Sequence, residues 1–371
     1  MKKMLGLLLI NILFGASLFA GETHERSLFI SVIQDPPLLA SREAIEEVVH
    51  FAKQAGVQTL FVQIYRSNKA WFPSQVGDSE PYQTSLKNVG EDPFQLLLKK
   101  SHESGIKVHA WLNLLSLGNN EGAPLLKKYG TEILTKNLKE KKNFQDYKID
   151  NQYFLEPGDL RVREELANMV GEILDHYPEL DGIQFDYIRY PDRNPQYGYT
   201  PMNMDRFKKA TGLKTIQEES EMWKNWKRDQ VTELLKFLIQ KIRGLNPKIQ
   251  ISTTGCMSYV RAYHEAFQDW AFWLQSGLVD FVTMMSYTVD PLLFQKYIAE
   301  AQNKTGDSFA KVNIGIAAYA LTQSPEIFKK EFQICKETKA RGCAVFHYGN
   351  LLQNKELKTT LLRSTSRSSE S

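Results

Sequence analysis

Cysteine is scarce in this 371-residue chain: Cys256, Cys335 and Cys343 form an odd set with no CxxC spacing. That pattern argues against a structural zinc site, while one Cys335–Cys343 disulfide is compatible with an oxidising compartment without being required. Charge of one sign is missing as well. The formal net charge is +3, and without Lys2 and Lys3 the chain carries 44 basic against 43 acidic residues. Phosphate backbones are held by clustered Lys and Arg, so this neutrality argues against nucleic acid as the partner. No GxGxxG or GxxxxGK follows the first strand-like run, which removes the usual nucleotide cradles of a doubly wound sheet. No heptad repeat or interface pattern is present, leaving oligomeric state open. Beyond residue 20, no apolar run reaches the ~18 residues that a spanning helix needs. No metal and no organic cofactor are expected.

What is present begins at the amino terminus. Lys2 and Lys3 precede an apolar run from Leu5 to Ala20, with small residues before Gly21. This is the layout of a secretory signal, with cleavage expected after Ala20 and a periplasmic or secreted mature protein that has no stable membrane insertion. An uncleaved anchor is the alternative, because the run approaches spanning length. The expected organisation is a signal peptide over 1–20, one domain over 21–350, and a C-terminal segment over 351–371 whose Ser-rich end, 364–371, reads as disordered.

From Leu28 onward, short apolar runs alternate with longer amphipathic ones. Strands are expected at 28–33, 58–65, 107–113, 182–187, 249–254, 281–286, 312–317 and 344–347. Helices are expected at 42–54, 93–103, 160–176, 229–243, 265–275 and 325–339. Eight strands alternating with helices predict an α/β fold, a (β/α)8 TIM barrel, with a doubly wound open sheet as the alternative. Long excursions, 114–155 and 191–227, follow the third and fourth strands. In a barrel those strand ends carry the active site, so these loops are expected to wall a cleft.

The fourth strand lies in LDGIQFDYIRYP, residues 180–191. Side chains alternate along a strand, so Gly182, Gln184 and Asp186 share the inward face, and Asp186 arrives at the barrel mouth. Arg189 is expected to keep it ionised, or to pair with it as a purely structural ion pair. Asp181, at the other end, reads as a turn cap. After the second strand, Arg66 offers a fork for carboxylate or hydroxyl, and Trp71 a stacking surface or a loop anchor. The third strand ends VHAWLN, which puts His109, Trp111 and Asn113 on one face as a polar pocket, though His109 also reads as a core histidine. Asp269 sits at a helix start, where N-capping competes with catalysis. Tyr287 falls at the sixth strand's end, and His347 and Tyr348 at the eighth's. Aromatic faces stack on sugars and carboxylates perform glycosidic acid–base chemistry, so the set suggests a carbohydrate site.

The segments VQIYRSNKAWFPS, KVHAWLN, LEPGDLRVREEL, LDGIQFDYIRYP and QDWAFWLQSGLVDFVTMMSYT, in this order and spacing, resemble the glycosyl-hydrolase-like 10 family of bacterial TIM-barrel glycosidases. The resemblance spans roughly residues 28–350. It implies an exported glycoside hydrolase cleaving a polysaccharide, with the bacterial cell-wall glycan, peptidoglycan strands included, as the leading substrate. It places Arg66, His109, Trp111, Asn113, Asp186, Asp269 and Tyr287 on motif positions, with Asp186 as the catalytic carboxylate. A more distant similarity to family 18 chitinases is broken where Gln184 replaces an aspartate and Ile188 stands at the catalytic glutamate position, while Met285 to Tyr287 keep that family's sixth-strand pattern. Asp186 is expected to be the nucleophile or the acid and Asp269 its partner, with Glu156 and Asp290 behind it. Carboxyl groups about 5 Å apart would imply retention and about 6.5–9.5 Å inversion. A glycan-binding protein without catalysis, or a hydrolase of another polymer such as an α-glucan, remains the competing reading.

Overall fold

The computed structural model describes residues 24–192, 196–218 and 220–366; the expected signal segment lies outside them. Eight parallel strands form the barrel: β1 (Glu25–Ile30), β2 (Thr59–Arg66), β3 (Lys107–Asn113), β4 (Gly182–Asp186), β5 (Gln250–Cys256), β6 (Phe281–Met285), β7 (Val312–Ala317) and β8 (Gly342–Phe346). Each pairs with the next, and β8 pairs back onto β1, so the sheet closes and has no free long edge. The outer ring includes α1 (Arg42–Gln54), α2 (Pro93–Glu103), α3 (Leu160–His176), α4 (Glu221–Leu245), α5 (Trp270–Gln275), α6 (Pro291–Thr305), α7 (Pro325–Lys336) and α8 (Lys355–Ser366).

Local chemistry sets these boundaries. Ser41, Asp92 and Asp159 cap α1, α2 and α3 by accepting a backbone N–H of the first turn. The outward strand residues, such as Ile183 and Phe185 on β4, are fully buried against this ring. The helix expected over 265–275 is instead two short ones, Tyr259–His264 and Trp270–Gln275. Phe267 breaks the helical path with φ +52°, and Asp269 starts the second helix as its cap.

The lumen is packed, not hollow. Phe29, Phe61, Trp111, Phe281 and Ala344 form one buried cluster with Phe346 against it. His109 stands beside this plug, its ring 5.5 Å from Phe61 and 5.7 Å from Phe281. Gly182 is required here, because a Cβ would come within 2.3 Å of the His109 ring. At the opposite end of β4, Asp181 accepts from the Val108 N–H at 2.8 Å and lies 2.7 Å from His102, the turn-capping role expected of it.

Two long excursions leave the C-terminal ends of β3 and β4. The first carries a two-stranded ribbon, Ser116–Gly118 with Tyr153–Phe154, and the second a helix, Pro201–Thr211. After Asn354 the chain is helical through Ser366, so residues 364–366, expected to be disordered, continue α8, while the rest of that expected tail, 367–371, lies outside the described residues. Leu357 and Leu361 are buried and α8 packs on α7, which is why the helix persists where composition suggested a tail. A Cys335–Cys343 disulfide ties the end of α7 to β8, and Cys256 is a buried free thiol.

Candidate active site

Asp186 is the last residue of β4 and points inward at the C-terminal mouth, 6% exposed. Three donors converge on it. Trp111 Nε1 donates to Oδ2 at 3.1 Å, Thr254 Oγ1 to Oδ1 at 2.7 Å, and the Tyr187 backbone N–H to Oδ1 at 2.8 Å. Both oxygens are therefore held as acceptors by groups from β3, β5 and its own turn. That turn is unusual: Tyr187 has φ +52°, a left-handed conformation costly for a bulky residue and enriched where surrounding structure enforces a functional geometry.

Above Asp186 opens a cavity of about 640 Å³. One wall is aromatic, with Tyr287, Tyr319 and Phe346 in mutual contact at centroid distances of 5.3–6.0 Å. Burial, with the Asp186 charge adding to it, pushes the Tyr287 phenol well above its usual range and keeps it a hydroxyl donor. The other side carries Arg189, Asp192 and Arg261, with Cys256 between; burial pushes the Cys256 thiol up, away from a reactive thiolate.

Several expected site residues sit elsewhere. His109 is fully buried in the lumen and does not line the cavity; burial, then the charges of Arg341 and Lys107, lower it to about 3, so it is a neutral core histidine. Trp111 lies under the cavity and acts on Asp186 through its N–H rather than as a stacking surface. Asn113 accepts from Gln63 at 3.0 Å within a buried pair. Arg66 and Trp71 line a separate shallow depression of about 390 Å³ with Asn119 and Asn120. Arg189 meets Asp192, not Asp186: its Nη1 lies 3.3 Å from Asp192 Oδ1, and its guanidinium stacks 4.6 Å from the Tyr187 ring.

The carboxylates expected to partner Asp186 are engaged in structure. Asp269 caps α5, accepting from the Phe272 N–H at 3.2 Å and from the Tyr259 hydroxyl at 2.6 Å, and does not line the cavity. At the helix start its Oδ1 is spent on the cap. Asp290 caps α6. Glu156 is fully buried, its pKa raised by burial, and takes hydrogen bonds from the Tyr190 hydroxyl and the Gly158 N–H. Tyr190 also receives a bond from Asn203, which accepts from Trp226, so this chain knits the β3 excursion to the β4 excursion. Ile188 is fully buried, so that position supplies no acid. His347 caps the short helix Tyr348–Gln353, and Tyr348 packs on Phe51.

The model of the glycosyl hydrolase-like 10 family matches residues 26–333. The chain belongs to this family. It is 22% identical over 264 residues to the glycosyl hydrolase DigH of Escherichia coli (strain K12), covering 66% of this chain and 58% of that one. It is 24% identical over 262 residues to the glycosyl hydrolase YngK of Bacillus subtilis (strain 168), covering 63% of this chain and 47% of that one. The chain thus spans roughly half the length of the curated relatives it matches. In fold it is similar to the catalytic domain of the β-amylase from Paenibacillus polymyxa, with a TM-score of 0.62 at 12% identity over 92% of this chain and 99% of that one. A β-galactosidase from Marinomonas ef1 follows at a TM-score of 0.58 and 12% identity, over 92% of this chain and 59% of that one.

Within this glycosyl hydrolase-like 10 barrel, sequence reasoning missed Asp192 and Arg261. Among the described residues, Asp192 is the only carboxylate besides Asp186 that lines the cavity. Its Oδ1 faces Arg189 and its Oδ2 lies 3.3 Å from Arg261 Nη1. The signal was present for Asp192, which directly follows LDGIQFDYIRYP in the excursion already expected to wall the cleft. For Arg261 there was none, since it sits 69 positions after Asp192 on a short helix.

Proposed function

We propose that this protein is an exported glycoside hydrolase that cleaves a polysaccharide, with bacterial cell-wall glycan as the substrate. The observation that carries the reading is Asp186: a carboxylate at the C-terminal mouth of the barrel, fixed by three donors, facing an aromatic-walled cavity of about 640 Å³. Hydrolysis of a glycosidic bond uses two carboxyl groups, one at the anomeric carbon and one to pass a proton to the leaving oxygen. Asp186, whose oxygens are aimed and held as acceptors, takes the first role. Asp192, which shares the cavity, is the second carboxyl group in place of Asp269. The Tyr287 hydroxyl and the rings beside it bind and orient the sugar. The depression at Arg66 and Trp71 extends the track for a polymer beyond the reacting residue. Export to the periplasm or medium is supported by the charged and apolar start of the sequence and by the Cys335–Cys343 bond.

The deciding experiment incubates purified protein with peptide-free peptidoglycan strands, chitin oligomers and α-glucans and measures released fragments. Cleavage of the wall strands by wild type and its loss in Asp186→Asn support the reading. Equal rates from both proteins overturn Asp186, and binding without cleavage makes this a glycan-binding barrel.

A further inference from the structure

On the Asp192 side of the cavity two guanidiniums share one ion-paired carboxylate. Arg189 is 7% exposed, and among the described residues its hydrogen bonds are two long ones through Nη1, at 3.3 Å to Asp192 and 3.4 Å to the Tyr190 carbonyl. Its Nε has no partner among the described residues. Arg261 spends Nη1 on Asp192 at 3.3 Å and Nη2 on the Met257 carbonyl at 2.5 Å, and its Nε is likewise unpartnered. One carboxylate thus bridges two guanidiniums. Asp186 acts on Arg189 through its charge alone; among the described residues no ion pair joins it to either arginine, and its oxygens are already supplied by Trp111, Thr254 and the Tyr187 N–H.

Buried guanidinium donors left short of acceptors are costly, and both arginines line the cavity. Arg189 is also held in place before any ligand arrives, stacked on Tyr187 and anchored at one nitrogen by Asp192. A planar, fixed guanidinium with spare donors suits a carboxylate ligand. The neighbouring depression repeats the sign: Arg66 and Lys69 line it, and Arg66 is close enough for its charge to act on Tyr187 and His347.

We propose that Arg189, backed by Arg261, is a subsite for a carboxylate carried by the substrate's own sugar, so that the protein selects acidic over neutral glycans. The inference rests on the hydrolase reading above and names its substrate class. A sugar carboxylate has two sources, the lactyl ether of a wall amino sugar and the C6 carboxylate of a uronic acid. Neutral glucans and chitin lack it.

The test has a binding arm and a cleavage arm. Titration calorimetry compares N-acetylmuramic acid with N-acetylglucosamine, and glucuronic acid with glucose, on wild type, Arg189→Lys and Arg261→Gln. The acidic member of at least one pair is expected to bind about 10-fold or more tighter to wild type, an advantage that Arg189→Lys and Arg261→Gln reduce and that falls with added salt. Which pair shows the effect tells the two sources apart. In the second arm, peptide-free wall strands are compared before and after reduction of their carboxylates to alcohols, with reduction expected to lower kcat/KM about 10-fold to 100-fold. Equal affinity for acidic and neutral members of both pairs overturns the subsite. Preferential binding of an acidic sugar with no cleavage of any glycan sustains the subsite and overturns the hydrolase reading, so the two failures are distinguishable.

Discussion

Trp111 Nε1 and Asp186 Oδ2 are joined by a 3.1 Å hydrogen bond across two adjacent barrel strands. The strand register pairs Asn113 with Asp186, so the indole reaches up from the layer below. Because Trp111 is wedged edge-on against Phe29 and Phe346, the lumen packing itself aims the carboxylate. Trp111→Phe keeps most of that packing and removes the donor. Its expected effect is a drop in kcat of about 10-fold with little change in KM, read from steady-state cleavage of wall strands. An equal loss spread onto KM would show the ring to be a sugar contact instead.

Asp186 and Asp269 should separate cleanly. Asp186→Asn is expected to lose about a thousandfold in kcat while staying folded, a loss in the range seen when an acid–base group is removed. Asp269→Ala is expected to keep kcat and to lose about 1 kcal/mol of stability as α5 loses its cap. Cleavage rates and denaturant melts on the same two preparations decide both.

Asp192→Asn should fall between these. With Asp192 as the second carboxyl group, kcat drops about a hundredfold and one limb of the pH–rate profile flattens. A variant that keeps both limbs would confine Asp192 to holding the arginines.

Glu331 sits buried on α7 with neither carboxyl oxygen partnered among the described residues, and burial raises it to about 8. The unfolded chain releases this proton near pH 4.5, whereas the folded one keeps it until about pH 8. The contribution to stability is therefore complete below pH 4.5 and is lost as pH rises to about 8. Glu331→Gln should leave the Tm little changed at pH 4.5 and raise it relative to wild type at pH 8 to 9, as scanning calorimetry would show.

The paired substitution Cys335→Ser with Cys343→Ser should cost about 2–3 kcal/mol, the expectation for a short closed loop. Urea melts of the oxidised wild type and the double variant measure it directly.

The barrel was legible because its strands announce themselves. Their outward residues are apolar, so seven-residue β3 and six-residue β7 could be read with their exact ends. Asp186 was legible for the same reason, as the inward residue at a strand terminus. Its partners were not. An aspartate before an amphipathic run looks alike whether it caps a helix or serves chemistry, and Asp269 does cap one. Arg189 was read as a neighbour of Asp186, but the chain turns at Tyr187 through a left-handed backbone that sequence does not foretell. That turn sends the guanidinium to Asp192. His109 shared a strand face with Trp111 and Asn113, yet depth along the strand, not face, decides which residue reaches the mouth.

The hydrogen-bond chain from Glu156 through Tyr190 and Asn203 to Trp226 bears on how this barrel can be remodelled. It makes the two long excursions a single inheritable unit. Exchanging only the loop after β4 would remove the Tyr190 hydroxyl from Glu156 and leave that buried carboxyl to the donors of its own excursion, the Gly158 N–H among them, so the two loops are best exchanged together.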